Sequence, residues 1–202
     1  MKSTRRRLTV ANRQLEIIES AFEEFVKQGL DKTSLRSIAR ASNINPSLIL
    51  HHFGGLDKLF LAVVKKAVQD ARLSTERYFE GLDQASELLQ AYVESMFDWI
   101  GLNPKLQILF LQLYHHAVFN DVFNSFNLQV VKMGRERIKK ILELGIDQKS
   151  FVIDDLDTTT KAIQDLLTGT FFRMAATRTL SNPQRERADL ITQVFILVQK
   201  QS

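Results

Sequence analysis

An all-α fold is predicted by three observations. Only three prolines and eight glycines occur in 202 residues, so few positions oppose a helix. Apolar residues recur at three- and four-residue intervals over most of the length, the period of a helix with one buried face. Each proline follows an asparagine, as Asn45-Pro46, Asn103-Pro104 and Asn182-Pro183. That pair starts helices: proline holds a near-helical φ and lacks only an N–H that the first turn leaves unpaired, while asparagine, pushed out of helical geometry, supplies the cap.

The elements follow in order. Val10 to Gln28 carries Leu15, Ile18, Phe22 and Phe25 at helical spacing, and Gly29 closes it. A second, short helix begins after Thr33 or Ser34, with Leu35, Ile38 and Ala39 inward. Ser42-Asn43 makes the tight turn, since asparagine tolerates a left-handed backbone. The third helix starts at Asn45-Pro46 and ends at Gly54-Gly55; the fourth begins at Leu56 with the stripe Leu59, Phe60, Val63, Val64, Ala67 and Ala71. Further helices are expected over 84–102, 105–118, 121–144, 156–177 and 184–199, about nine in all. The segment KLQILFLQLYHHAVF is apolar nearly all round, which predicts a helix buried in the body. Gly134 and Gly169, inside helical patterns, predict either close helix approach or a widening that leaves room.

With 45% hydrophobic and 25% charged residues, the length suits one helical domain or a small module joined to a larger one. Residues 1–60 hold ten Lys and Arg against six Asp and Glu, while 61–202 hold seventeen of each. All of the net +4 therefore sits in the N-terminal part, as expected of a polyanion-binding module on a neutral body. Zero cysteines exclude disulfides, thiolate catalysis and cysteine-based zinc sites. No apolar run reaches membrane-spanning length, and the basic start MKSTRRRLTVANRQ leads into an amphipathic stretch rather than a signal-peptide core; the cytoplasm is the expected compartment.

The pairs His51-His52 and His115-His116 lack HExxH or His-x3-His spacing, and adjacent helical residues diverge by about 100°. A metal is not expected at either pair, and one histidine of the second either lines a cavity or sits in the core. Asp154, Asp155 and Asp157 lack the glycine and distal glutamate of a calcium loop and stand where a helix begins, so capping explains them. No nucleophile-base spacing or phosphate loop appears, so neither an enzyme nor a cofactor is expected.

A longer helix followed by two short ones around a tight turn makes a helix-turn-helix, whose second helix enters the major groove of duplex DNA. The stretch TSLRSIARASNINPSLILHHFGGLDKLF resembles the DNA-binding module of TetR-family transcriptional regulators in the order and spacing of Thr33, Ile38-Ala39, Ile44, Phe53 and Leu59. The resemblance covers roughly residues 10–71; beyond it, only length and helical character are similar. It departs at Asn43, where the family usually has glycine, at Leu50, where a phosphate-touching tyrosine is common, and at Leu56 in place of the usual lysine.

The resemblance implies a ligand-responsive regulator, most simply a repressor, that binds a (pseudo)palindromic operator as a homodimer and is released by a small apolar or aromatic effector. The alternative is a helical small-molecule-binding or protein-interaction module with weakened DNA reading. Residues 1–55 would hold the arm and helix-turn-helix, 56–80 a connecting helix, and 56–202 the ligand-binding and dimerisation domain. In the third helix Ile49 and Phe53 face the small core with Ile38. Asn45, Pro46, Ser47, Leu48, Leu50, His51 and His52, with Thr33 and Arg36 before them and Lys58 after, are the candidate DNA contacts. Leu48 and Leu50 flank the buried position and cannot both be fully inside. Lys2, Arg5, Arg6, Arg7 and Arg13 form either a solvated tail or an arm reaching DNA. Tyr92, Met96, Trp99, Leu113, His116, Phe119 and Phe123 are the candidate pocket. Leu166, Thr170, Arg173, Ile191, Val194, Phe195 and Val198 are the candidate dimer interface, because the last two helices are apolar on more than one side.

Overall fold

The computed structural model describes residues 10–177 and 182–199, and every regular element among them is helical. In order these are α1 (Val10–Gln28), α2 (Leu35–Ser42), α3 (Pro46–Phe53), α4 (Leu56–Tyr78), α5 (Ala85–Met96), a π-helical turn (Phe97–Gly101), α6 (Pro104–Phe119), α7 (Asp121–Asp147), α8 (Leu156–Thr177) and α9 (Pro183–Ile196). The chain divides into two compact units inside α4, after Ala67. Among the described residues no single helix is long and apolar enough to cross a membrane.

All three Asn-Pro pairs start helices. The asparagine side chain accepts a backbone N–H in each, from Ser47 at 2.9 Å, Leu106 at 3.3 Å and Arg185 at 3.0 Å. Asp155 likewise accepts the Thr158 N–H and hydroxyl at the start of α8, and these bonds hold its carboxyl below the usual carboxylate range.

In the first unit the core is Ile17, Ala21, Phe25, Ile38, Ile49, Leu59 and Phe60, all essentially without exposure, with Phe25 and Phe60 edge-to-face at 5.1 Å. Here the expected stripe of α1 needs correction. Leu15 is 40% exposed, and Ile18 and Phe22 are half-buried. Two apolar stripes overlap on this helix, and the small Ala21 lets the one through Ile17 and Phe25 pack closest. The stripe of α4 holds from Leu59 to Ala71.

In the second unit α7 packs against α5, α6 and α8, and α9 against α5 and α8. Leu89, Val93, Phe97, Leu109, Leu113, Phe123, Ile138, Leu142, Ile163 and Leu167 fill the core. Three expectations fail here. The helix foreseen over 84–102 breaks after Met96 into the π turn, whose Leu102 N–H reaches back to Phe97 O at 2.9 Å. The freed carbonyls of Ile100 and Gly101 accept from the buried Gln107 amide at 3.1 and 2.7 Å. Secondly, α6 is not buried all round: Val118 and Phe119 at its end are 74% and 78% exposed. Thirdly, α9 stops at Ile196 in a turn rather than running to 199.

The two singled-out glycines behave differently. A Cβ at Gly134 would lie 2.6 Å from Gln164 Oε1, so α7 and α8 approach closely there, whereas one at Gly169 would meet nothing.

Candidate functional site

The turn between α2 and α3 is fixed locally. Ser34 and Ser37 form a reciprocal capping box, each side-chain oxygen accepting the other's backbone N–H at 3.1 Å. At the other end Asn43 adopts φ 52°, ψ 42°, and the Ile44 N–H donates to Ala39 O at 3.0 Å. Asparagine thus does glycine's work in the left-handed position, while Ile44 is buried beneath the turn. α3 ends at Gly54, φ 75°, whose N–H donates to Leu50 O at 2.7 Å.

With Ile49 wholly buried beneath α3, its opposite side is open. Pro46, Ser47, Leu50 and His51 are exposed, Leu50 by 51%, while Leu48, His52 and Phe53 are half-buried. Leu48 therefore lies between the two roles, and Phe53 is a weaker anchor than Ile49, because it sits in the last turn beside the glycine exit. Asn45 and Ser47 are exposed but linked: Asn45 Oδ1 accepts both the Ser47 N–H and the Ser47 hydroxyl, the latter at 2.7 Å. Arg36 on α2 is exposed. Lys58 is exposed as well, and its Nζ would lie 3.6 Å from a Cβ at Gly54, so the ammonium hangs over the glycine turn at the start of α4. Asp57 in the same first turn adds a negative charge there.

Two candidate contacts are corrected. Thr33 is only 6% exposed and its hydroxyl donates to Gly29 O at 2.7 Å, locking the link between α1 and α2; it has no face toward a ligand. Arg13 belongs to α1 and pairs with Glu16 at 3.0 Å. Lys2, Arg5, Arg6 and Arg7 lie outside the described residues.

The second unit holds a half-open cavity of about 170 Å³. Of the candidate pocket residues Tyr92, Met96 and Trp99 line it, together with rings of Phe110, Tyr114, Phe171 and Phe172, and with Arg72, Arg137, Gln164 and Thr168. Tyr92 is 4% exposed, and burial pushes its phenol up to about 12 despite the nearby Arg137 guanidinium. Burial also raises the Tyr114 phenol, against a hydrogen bond from Thr168. The other candidates do not line the cavity. Leu113 and Phe123 are fully buried in solid core, His116 packs on Phe123 at 5.4 Å, and Phe119 is on the surface. Helical periodicity assigns these residues to faces but not to what covers each face. The polar members of the wall gave no sequence signal, since an arginine or glutamine at half-buried helical spacing reads as surface.

The candidate interface splits in the same way. Val194 and Val198 have no exposure and belong to the protomer core, and Phe195 is half-buried with its ring 6.5 Å from Phe151. Arg173 pairs with Glu186 across α8 and α9 at 2.7 Å. Leu166, Thr170 and Ile191 are half-buried, facing outward in part.

A trihelical unit with a left-handed turn, a buried anchor and an open second short helix is a helix-turn-helix DNA-binding module. Residues 17–63 match the family model of bacterial regulatory proteins, tetR family. The match covers the helix-turn-helix module and stops short of the second unit, so it is that module which is similar to the tetR family's. The chain is 29% identical over 146 residues to the probable acrEF/envCD operon repressor of Escherichia coli, an alignment taking in 70% of this chain and 66%, just under two thirds, of that protein. Its fold is shared with a TetR transcription regulator from Haloarcula marismortui (15% identity, TM-score 0.84, 94% of this chain and 100% of that one). It is equally shared with a transcriptional regulator from Saccharomonospora viridis solved with choline (17% identity, TM-score 0.84, 95% and 100%).

Proposed function

We propose that this protein is a cytoplasmic transcriptional repressor that binds a two-fold related operator as a homodimer and is released by a small-molecule effector. The observation that carries the reading is the free outer side of α3: Pro46, Ser47, Leu50 and His51 are open above the buried Ile49. Residues 1–55 read the duplex, α4 connects within 56–80, and 56–202 bind effector and partner. Arg36 donates to a guanine edge or a phosphate, Ser47 and His51 to base edges or phosphates, and Leu50 contacts thymine methyls. Lys58 and the unpaired N–H groups at the start of α4 hold a phosphate. The E. coli relative, an operon repressor by its name, supports repression over activation.

The effector reading rests on α4. Val68, Ala71 and Arg72 line the cavity, and the same helix begins at Leu56, just beyond Gly54-Gly55 and the end of α3. A ligand that prefers one setting of α4 therefore shifts the population competent for the operator. Dimerisation is supported by Gly169. It is exposed in the middle of α8 with open space around its Cα, a helix-weakening choice that nothing within the protomer requires. A partner helix crossing there, flanked by Leu166, Thr170 and Ile191, accounts for it.

Anisotropy titration against the gene's own upstream region tests the reading. Sequence-specific binding that Arg36→Ala combined with His51→Ala abolishes supports it, and equal binding to random DNA refutes it. One observation favours a second reading, a helical binding module with weakened DNA reading: apolar Leu50 is open where a phosphate-touching side chain is common in the family. Under that reading DNA affinity has the salt slope of a nonspecific arm and is lost on deleting residues 1–8.

A further inference from the structure

The cavity of the second unit is aromatic, but its charge is one-sided. Its wall holds two arginines and no aspartate or glutamate. Arg72 is exposed, and its Nε donates to Glu76 at 3.0 Å. Arg137, half-buried on α7, forms no ion pair with any described residue. A guanidinium does not lose its proton in a protein, so a half-buried one is compensated by water or by an anion that comes to it. One further polar group of the wall, the Tyr92 hydroxyl, lacks a partner among the described residues, while Gln164 Oε1 is buried against Gly134 and its Nε2 donates to Thr168 Oγ1 at 3.4 Å. The hydroxyl is a donor beside the Arg137 charge.

We propose that this cavity binds a small aromatic carboxylate, its ring among Trp99, Phe110, Tyr114 and Phe172 and its carboxylate on Arg137 with the Tyr92 hydroxyl. The assignment rests on the effector reading above and narrows it. A cavity of about 170 Å³ is little larger than the roughly 150 Å³ that accommodates a benzene ring, so one ring and a short acidic arm fill it. Guanidinium and carboxylate meet in a two-pronged geometry that strengthens in a dry site. The competing ligand class is an organic cation seated on the aromatic rings, as choline in the Saccharomonospora viridis neighbour would suggest. The Arg137 guanidinium, without an ion-pair partner among the described residues and in a wall that holds no carboxylate, opposes that choice.

Trp99 is the only tryptophan of the chain and stands in the cavity wall, so intrinsic fluorescence of the whole protein reports occupancy. Phenylacetate, phenylacetamide and benzyltrimethylammonium are titrated in parallel, with thermal melting as a second readout. Phenylacetate is expected to bind about tenfold or more tighter than phenylacetamide, the effect of one charge-assisted hydrogen bond. Arg137→Gln is expected to erase that preference, with the ligand-free variant melting at the parent's temperature to show the fold intact, and Arg137→Lys to retain much of it. Equal or tighter binding of the amide or the ammonium probe overturns the anion assignment and leaves the effector reading standing. Saturable phenylacetate binding that leaves operator affinity unchanged overturns the effector reading and leaves the assignment standing. No response to any of the three probes overturns the assignment.

Discussion

Tyr92 offers a quantitative test of how dry the cavity wall is. Its phenol is held neutral up to about 12 in the folded protein, against 10.0 for the free side chain, chiefly by burial. The sign follows from proton binding. Between pH 10 and 12 the unfolded chain has released the Tyr92 proton and the folded chain has not, so stability is fully present below pH 10 and falls as pH rises toward 12. Two pKa units correspond to about 3 kcal/mol lost across that window. The substitution Tyr92→Phe removes the titrating group and little else, because the hydroxyl has no partner among the described residues. Near pH 7 the variant is expected to match the parent within about 1 kcal/mol. The assay is urea unfolding followed by Trp99 fluorescence, which reports the second unit, at half-unit steps from pH 8 to 12. The hydrogen bond that the Tyr78 hydroxyl donates to Asp98, with its partial burial, and the burial of Tyr114 raise those phenols too, so part of the alkaline slope survives in the variant. A variant whose slope equals the parent's would mean that Tyr92 meets water, and the account of the cavity would fail with it.

Other perturbations separate the two units and the local devices within them. Ile49→Ala empties a wholly buried position under α3 and is expected to cost about 2–5 kcal/mol; far-UV circular dichroism should show early loss of part of the helix signal while the Trp99 transition stays in place. Asn43 sits at φ 52°, so Asn43→Ala should lower stability of the first unit by about 1 kcal/mol in chemical denaturation and Asn43→Gly should leave it unchanged or raise it. Gly145→Ala places a Cβ 1.9 Å from the Phe151 ring, which is buried; expelling that ring should cost about 3–5 kcal/mol by urea midpoint, far beyond the roughly 1 kcal/mol gained in helix propensity. Gly169→Leu, by contrast, meets nothing in the protomer, so light scattering should find the variant folded but monomeric if α8 lies in the dimer interface.

What the sequence discloses divides by range. The helix starts at Asn45-Pro46, Asn103-Pro104 and Asn182-Pro183, the left-handed Asn43 and the cap of α2 each depend on atoms within four residues, and such contacts are written in the order of the chain. The open face of α3 was legible for the same reason, since one buried position on an eight-residue helix leaves its far side free. Range defeats the rest. Trp99 and Leu113 are both large apolar residues of the body, yet one lines a cavity and the other is solid core; the difference is made by what stands opposite each of them. Val194 and Val198 read as an outer face for want of knowing that α5 covers α9. Thr33 read as a free hydroxyl because its acceptor, the carbonyl of Gly29, belongs to a helix end and not to a motif.

The π turn shows why this range matters for response to a ligand. One inserted residue there sends neighbouring side chains to different tasks. Trp99 and Ile100 line the cavity, while Asp98 accepts from the Tyr78 hydroxyl at the end of α4 and pairs with Arg187 of α9. Arg187 also stacks over the Phe97 ring at 5.2 Å. A ligand pressing on Trp99 therefore acts on the same five residues that tie the last turn of α4 to α9. A continuous α-helix through 97–101 would lack the extra residue that lets Asp98 and Trp99 serve both tasks at once, which is a physical reason for the turn to occur at this point of the chain.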